Sequence, residues 1–454
     1  MRYLGLAAIL IALLVILWFW DASPPTVSWM APEFIGEASQ LRLRVQDEGK
    51  GLRSISVEVR QHGNVETVFS REYPPAWLPW QQRPVGEEII IDAKSMRGKA
   101  SLEEGQFQVE VSVGDQANLW IFSRKAVDVR TLTLDLTPPR IEVLSNPHYL
   151  RQGGSEVLIY RVSETSEVSG VRVGDRVFSG FPLGSQSKDI QVCLFALAYD
   201  ESPDAPILAW AQDRAGNRSE TGFGVKTFPR EFRERRIEVS DSLIEQIAPE
   251  ILSHDRDIQG GETPLETFLA INSELRTITQ KRIDAITSTS RSSRLWNEPF
   301  QQLSNSEVQS SFADRRSYYY RGERVDQQTH LGFDLASLAH SPVEAANSGE
   351  VVFADYLGIY GNCVILDHGL GLFSLYGHLS TIDVKEGQTV SKGQTLGRTG
   401  KTGLAAGDHL HFSMLLQGVQ VTPLEWWDPE WVSEHVLQRM DGPGLADSAE
   451  SSAH

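Results

Sequence analysis

Three histidine-bearing segments in the last third of this 454-residue chain carry side chains able to do chemistry. They are His330-Leu331-Gly332-Phe333-Asp334, Tyr376-Gly377-His378-Leu379 and His409-Leu410-His411. In an extended strand, side chains at i, i+2 and i+4 share a face, so His330 with Asp334, and His409 with His411, would each project together. Two such faces brought together offer one carboxylate and up to three imidazoles. Catalytic zinc takes three nitrogen or oxygen ligands from the protein and keeps a fourth position for water. One ligand too many is on offer, so one member of the His409/His411 pair is expected to do something else. His378 follows an apolar strand, where a polar ring needs a partner.

The elements around these residues read as strands. Val351–Phe353, Cys363–Leu366 and Phe373–Tyr376 are short apolar runs punctuated by Gly, and Val384–Val390 with Gly393–Gly397 reads as tight β-turns. The spacing predicts an all-β domain over residues 315–432. Residues 229–314 read instead as a helical linker or arm. Ser242–Glu245 has the pattern of a capping box, and Pro249 is expected to end or kink that helix. Thr263-Pro264-Leu265-Glu266 starts a second helix over 262–286, with Leu265, Phe268, Leu269 and Leu275 at helical spacing. This helix either packs as a linker on the next domain or lies across the groove and gates it. Thr287–Arg294 is rich in Ser, Thr and Arg and is expected to be a mobile loop, and residues 433–454 a disordered tail. His340, in a loop-like stretch, is expected to face solvent.

Upstream, the chain repeats itself. Asp21–Val27 is echoed by Asp135–Ile141, and Gly114–Asn118 by Gln212–Asn217. Between these marks apolar and polar residues alternate, as in Leu41–Val45, Ile55–Val59 and Phe107–Val111. Two β-sandwiches are expected, over residues 22–136 and 137–228. Residues 1–21 are expected to be an uncleaved transmembrane anchor. Tyr3–Trp20 carries no charge, and as a helix it would span about 27 Å. Trp20-Asp21-Ala22 lacks the small-x-small pattern of a cleavage site, and Arg2 favours the amino terminus inside. The rest of the chain would then lie outside the cytoplasm. The net charge of −18 argues against nucleic acid as a partner. Cys193 and Cys363, 170 positions apart, are expected to be buried free thiols.

Residues 328–427 resemble the lysostaphin-type (LytM-like) zinc metallopeptidases, which cut peptide bonds in peptidoglycan. The matching text is His330–Asp334, Val343 with Gly349–Val351, Asp367–Gly369, Tyr376–Ser380, Val384–Gly387, Val390–Gln394, Gly397, Gly400, Gly403 and His409–Phe412, closed by Pro423 and Trp426. The resemblance implies that His330, Asp334 and His411 bind one Zn²⁺ per chain and that His378 and His409 are the catalytic pair. His368 matches a family histidine that is not a ligand, so a structural role is expected. Gly358–Gly361 and Gly400–Gly407 are expected to wall the cleft. The upstream repeats resemble bacterial immunoglobulin-like domains, in their PP-x-[IV] openings and in the D-x-A-G-N closing of the second, which the first repeat matches without the Gly. Such modules serve as spacers or as docking surfaces for a cell-envelope protein.

The fold class expected is therefore multidomain and mainly β, from anchor through two Ig-like sandwiches and a helical linker to a LytM-like domain. The function expected is that of a single-pass inner-membrane zinc endopeptidase, with its bulk periplasmic, acting on peptidoglycan stem peptides. The alternatives are a non-catalytic regulator of a cell-wall amidase and a zinc peptidase acting on a surface protein.

Overall fold

The computed structural model describes residues 24–49, 51–75, 81, 84–116, 124–163, 166–184 and 189–441. The expected anchor, residues 1–21, lies outside the described residues. Among those described, no helix is long and apolar enough to cross a membrane. The described residues divide into two compact units: those up to 139 with 166–167 and 212–219, and those in 140–163, 168–211 and 220–441.

In the first unit, a three-stranded sheet (Thr26–Trp29, Gln40–Gln46, Gly86–Asp92) and a five-stranded sheet share one core. The second sheet is built from Phe34–Ile35, Lys125–Leu134, Gly105–Asp115, Leu52–Gln61 and Asn64–Glu72. The predicted alternation is visible in Gln40–Gln46, where Leu41, Leu43 and Val45 are buried and their neighbours exposed. In the second unit, Ser155–Val162 and Ile190–Ala196 pair in antiparallel register. Their side chains share a core with Val171, Val173 and Phe178. Cys193 and Cys363 are both buried and free.

The helical region has more β-structure than its sequence suggests. Strand β1 (Glu234–Val239) precedes helix α1 (Asp241–His254). The cap of α1 is Ser240, whose hydroxyl accepts from Leu243 N, so the start lies ahead of the expected Ser242 box. The helix continues through Pro249 rather than ending there. Burial of Ile244, Ile247, Ala248 and Ile251 against the neighbouring domain outweighs the one backbone bond that proline forfeits. Helix α2 (Pro264–Leu269) starts with the expected capping box of Thr263 and Glu266. It runs through a π-helical turn, Ala270–Leu275, into α3 (Arg276–Ile286). The segment after α3 is not loose. Asp367 accepts from Ser290 Oγ at 2.7 Å and from Arg291 N at 2.8 Å, which pins the Ser/Thr/Arg-rich stretch.

Strands β2 (Glu307–Ser310), β3 (Asp314–Tyr320), β4 (Glu323–His330) and β5 (Phe333–Ala336) follow. Next come β6 (Gly349–Tyr356), β7 (Asn362–Gly369), β8 (Leu372–Leu379) and β9 (Leu410–Leu416). An eight-stranded sheet has the order β2-β5-β9-β8-β7-β6, then Thr389–Val390, with Val419–Val421 beside β9. A smaller sheet has the order β1-β3-β4, in which β1 and β3 run parallel.

The large sheet is covered on both faces. Cys363, Ile365, Phe373, Leu375 and Leu415 share a core with Phe268, Ile271, Leu275 and Ile283 of the arm. Their strand neighbours Val364, Leu366, Tyr376, Phe412 and Met414 belong to the opposite core. Each large apolar side chain buried this way contributes on the order of 1.5–3 kcal/mol. Double coverage is why these strands read as unbroken apolar runs instead of alternating.

The carboxyl-terminal end departs from expectation. Residues 433–441, assigned by sequence to the tail, are helical, because Val432, Val436 and Met440 bury one face. Glu156, fully buried, accepts from Arg439 at 3.0 Å and faces His435 at 3.2 Å. Nearby, Glu425 accepts from Ser155 N at 2.8 Å and from its hydroxyl at 3.2 Å. Burial, reinforced by the Glu156 charge, pushes the Glu425 carboxyl up from 4.5 to about 7, against the Ser155 hydrogen bonds and Arg230. A folded-state value above the unfolded one means the stabilisation is complete below about pH 4.5 and is lost as pH rises through about 7. We predict that Glu425→Gln removes on the order of 3 kcal/mol of pH-dependent stability across that window. Melting temperatures measured from pH 4.5 to 7.5 check this, and an unchanged slope in the variant contradicts it.

Candidate functional site

The site forms where the chain leaves one sheet for the other. Strand β4 ends at His330, Leu331-Gly332 makes the crossing, and β5 begins at Phe333. His330 and Asp334 thus stand on different strands in different sheets, not on one face of a single strand as the i, i+4 spacing suggested. Asp334 lies directly opposite His411 in the β5–β9 ladder, which brings the second segment in. Gly332 sits so close that a Cβ there would lie 2.5 Å from His411 Nε2 and 2.6 Å from Phe412 O. No other residue leaves room for that approach.

His330 Nε2, Asp334 Oδ1 and His411 Nδ1 converge. The first two are 2.9 Å apart, and His411 Nδ1 is 3.1 Å from each of them. The opposite ring nitrogens settle the tautomers. His330 Nδ1 donates to Ser311 O at 3.0 Å. The Ser413 hydroxyl spends its one proton on Leu331 O at 2.7 Å, so it accepts from His411 Nε2 at 2.9 Å. Both rings therefore turn a lone pair toward Asp334 Oδ1. Three lone-pair atoms this close repel one another unless a proton or a metal cation lies among them. The donor set, two imidazoles and one carboxylate oxygen, fits a catalytic zinc ion.

Asp334 divides its oxygens. Oδ1 faces the histidines, while Oδ2 accepts from Arg316 Nη2 at 2.6 Å. Burial by itself would raise the Asp334 carboxyl, but the surrounding imidazoles, His330 first and then His409 and His411, hold it well below the usual carboxylate range. Burial lowers His411 to about 4.

His378 and His409 stand beside this cluster, with ring centroids 4.8 Å apart. His378, one residue before the end of β8, has a left-handed backbone, φ 62°, a conformation that costs a non-glycine residue on the order of 1–3 kcal/mol. Its Nδ1 donates to Thr402 O at 2.8 Å. Thr402 is fixed in turn, because its hydroxyl donates to Leu379 O at 2.9 Å and accepts from Asn362 N at 2.9 Å. Burial first, and then the charges of His409 and His411, hold His378 well below its ordinary value. His409 precedes β9, paired to Gly400 by an isolated bridge, and its Nδ1 donates to Gly407 O at 2.8 Å. Its Nε2 is 3.5 Å from Asp334 Oδ1. Burial would lower His409, but Asp334 outweighs it and the net shift is upward.

These five side chains line one cavity of about 480 Å³, together with Ile359, Tyr360 and the 404–408 loop. The arm supplies another wall through Ile237, Leu243, Ile247, Phe268 and Arg276. The two glycine loops thus take the places expected of them. The remaining histidines lie apart. His340 is exposed, with Nδ1 3.1 Å from Ser380 Oγ. His368 is fully buried between Ser348 O at 2.8 Å and Ser374 Oγ at 2.7 Å. Sequence reasoning missed Arg316, Thr402 and Ser413. Only Ser413 left a signal, since it follows His411 by two on one strand face.

Residues 328–423 match the model of Peptidase family M23. They form an M23 domain. Over 96 residues the chain is 38% identical to a peptidoglycan DD-endopeptidase, ShyA, of Vibrio cholerae serotype O1, covering 21% of this chain and 22% of that one. Over 95 residues it is 38% identical to the DD-carboxypeptidase/endopeptidase Mpg of Neisseria meningitidis serogroup B, again 21% and 22%. Among solved structures it is similar to the catalytic domain of the antimicrobial peptidase lysostaphin from Staphylococcus simulans. That match has 26% identity and a TM-score of 0.26, and covers 29% of this chain and 98% of that one. The chain spans about a fifth of the length of these curated relatives.

Four substitutions in the M23 domain test the geometry. His411→Ala is expected to lose bound zinc, whereas His378→Ala and His409→Ala keep it; metal analysis after gel filtration reads this directly. Ser413→Ala frees the His411 ring to choose its tautomer, and zinc affinity is expected to fall about 10- to 100-fold in chelator competition. Unchanged affinity would show that the hydroxyl does not set the ring.

Proposed function

We propose that the M23 domain is a zinc endopeptidase that hydrolyses peptide cross-links of peptidoglycan, with His330, Asp334 and His411 as ligands and His378 and His409 as the catalytic pair. The observation that carries this reading is the meeting of three lone-pair donors beside two histidines whose Nδ1 protons are already committed to carbonyls. A zinc ion held there supplies polarisation that brings its water to a pKa of about 7. The protein does the rest. Thr402 and Gly407 fix the catalytic rings so that Nε2 is left for proton transfer and for hydrogen bonding to the developing oxyanion. Arg316 keeps Asp334 Oδ2 occupied, which leaves a single oxygen for the metal.

The relatives named as peptidoglycan endopeptidases support the substrate class. Such a substrate supports a location outside the cytoplasm. The uncharged run Tyr3–Trp20 supports anchoring in the inner membrane, with the two sandwiches as Ig-like spacers or docking surfaces for a cell-envelope protein. Zinc-loaded full-length protein added to purified cell-wall sacci is expected to release new amino groups and convert cross-linked muropeptides to monomers. His378→Ala should release none. Sacci left intact by the zinc-loaded wild type would overturn the hydrolase reading.

A further inference from the structure

The cavity contains a cation that the zinc chemistry does not use. Arg276 opens α3 directly after the π-helical turn, and such turns frequently mark functional positions. Its guanidinium is locked by one residue: Nε donates to Asn272 O at 3.0 Å and Nη2 to Asn272 Oδ1 at 2.9 Å. Asn272 is fully buried and donates onward to Asp326 at 2.7 Å. Asp326 is also held by Ser273 Oγ at 2.8 Å, Gln327 N at 2.7 Å and Gln328 at 3.0 Å, so it reaches Arg276 only through Asn272. Among the described residues, no carboxylate forms an ion pair with Arg276.

The other guanidinium lining the cavity is already engaged, and one oxygen of Asp408 is left without a hydrogen-bond partner among the described residues. Arg316 is bound to Asp334, and Asp408 accepts from the backbone N–H of His340 at 3.2 Å. Arg276 lines the same cavity as His330, Asp334 and His411, together with Tyr360, whose ring lies 5.0 Å from that of His411. Around it the wall is apolar, with Leu243, Ile247 and Phe268. A half-buried guanidinium in such a wall is costly unless an anion joins it. The planar fork of arginine matches a carboxylate better than any other anion a peptide carries.

We propose that Arg276 is a specificity residue that binds a free carboxylate of the substrate peptide, holding it against the arm while the scissile carbonyl lies at the metal cluster. This rests on the site being the peptidase site described above. The carboxylate has two sources in a stem peptide, its carboxyl terminus or an acidic side chain, and the test separates them. Zinc-loaded full-length His378→Ala is titrated with synthetic cross-linked stem-peptide dimers in three forms: all carboxylates free, terminal carboxylates amidated, or side-chain carboxylates amidated.

Amidation of one class is expected to weaken binding about 10- to 100-fold, which identifies the source. Adding Arg276→Gln should abolish that discrimination, and Arg276→Lys should restore part of it. Equal binding of the three forms overturns the proposal without recourse to any arm variant. So does discrimination that survives Arg276→Gln in a protein of unchanged melting temperature. Hydrolysis of the same dimers by the wild type is read in parallel. Carboxylate-selective binding that depends on Arg276, without turnover, supports this proposal while overturning the hydrolase reading. Turnover without carboxylate preference does the reverse.

Discussion

Everything in the M23 domain is arranged around one electrostatic difficulty: three lone-pair atoms held about 3 Å apart. Left to themselves they would move apart. Ser311 and Ser413 fix the rings from behind, and Arg316 takes the second oxygen of Asp334, so no member can rotate away to relieve the repulsion. A cation among them would relieve it instead. The geometry is held by backbone carbonyls, a hydroxyl and a guanidinium that do not touch the reacting atoms.

The chemistry-bearing residues were legible in the sequence because their types are poor choices for a core. His330, Asp334, His378, His409 and His411 line one cavity, as their spacing and the family resemblance indicated. The reason given for the first pair was wrong in detail. Strand periodicity put His330 and Asp334 on one face, yet a change of sheet at Gly332 is what joins them. A local pattern cannot show a crossing, because the crossing depends on which strands pair. Ser413 was readable from period two, whereas Arg316 and Thr402 reach the site only through tertiary pairing.

The arm shows where local rules give way. Thr263 and Glu266 cap their helix as the sequence requires, because capping is settled within four residues. Pro249 does not end its helix, because the apolar face of α1 is buried against another element. The expectation of disorder for residues 433–441 failed for the same kind of reason. Val436 and Met440 are too few to announce a helix, yet with Arg439 bound to Glu156 they are enough to hold one.

The double coverage of the large sheet limits how far the protein can be taken apart. Ile365, Phe373, Leu375 and Leu415 are capped by the arm, while the other face of the same strands is continuous with the core that includes Trp426 and strands Ser155–Val162 and Ile190–Ala196. A fragment cut at the family-domain boundaries would therefore expose two greasy surfaces at once. In this chain both faces of the M23 sheet are thus sealed by segments that lie outside the family match.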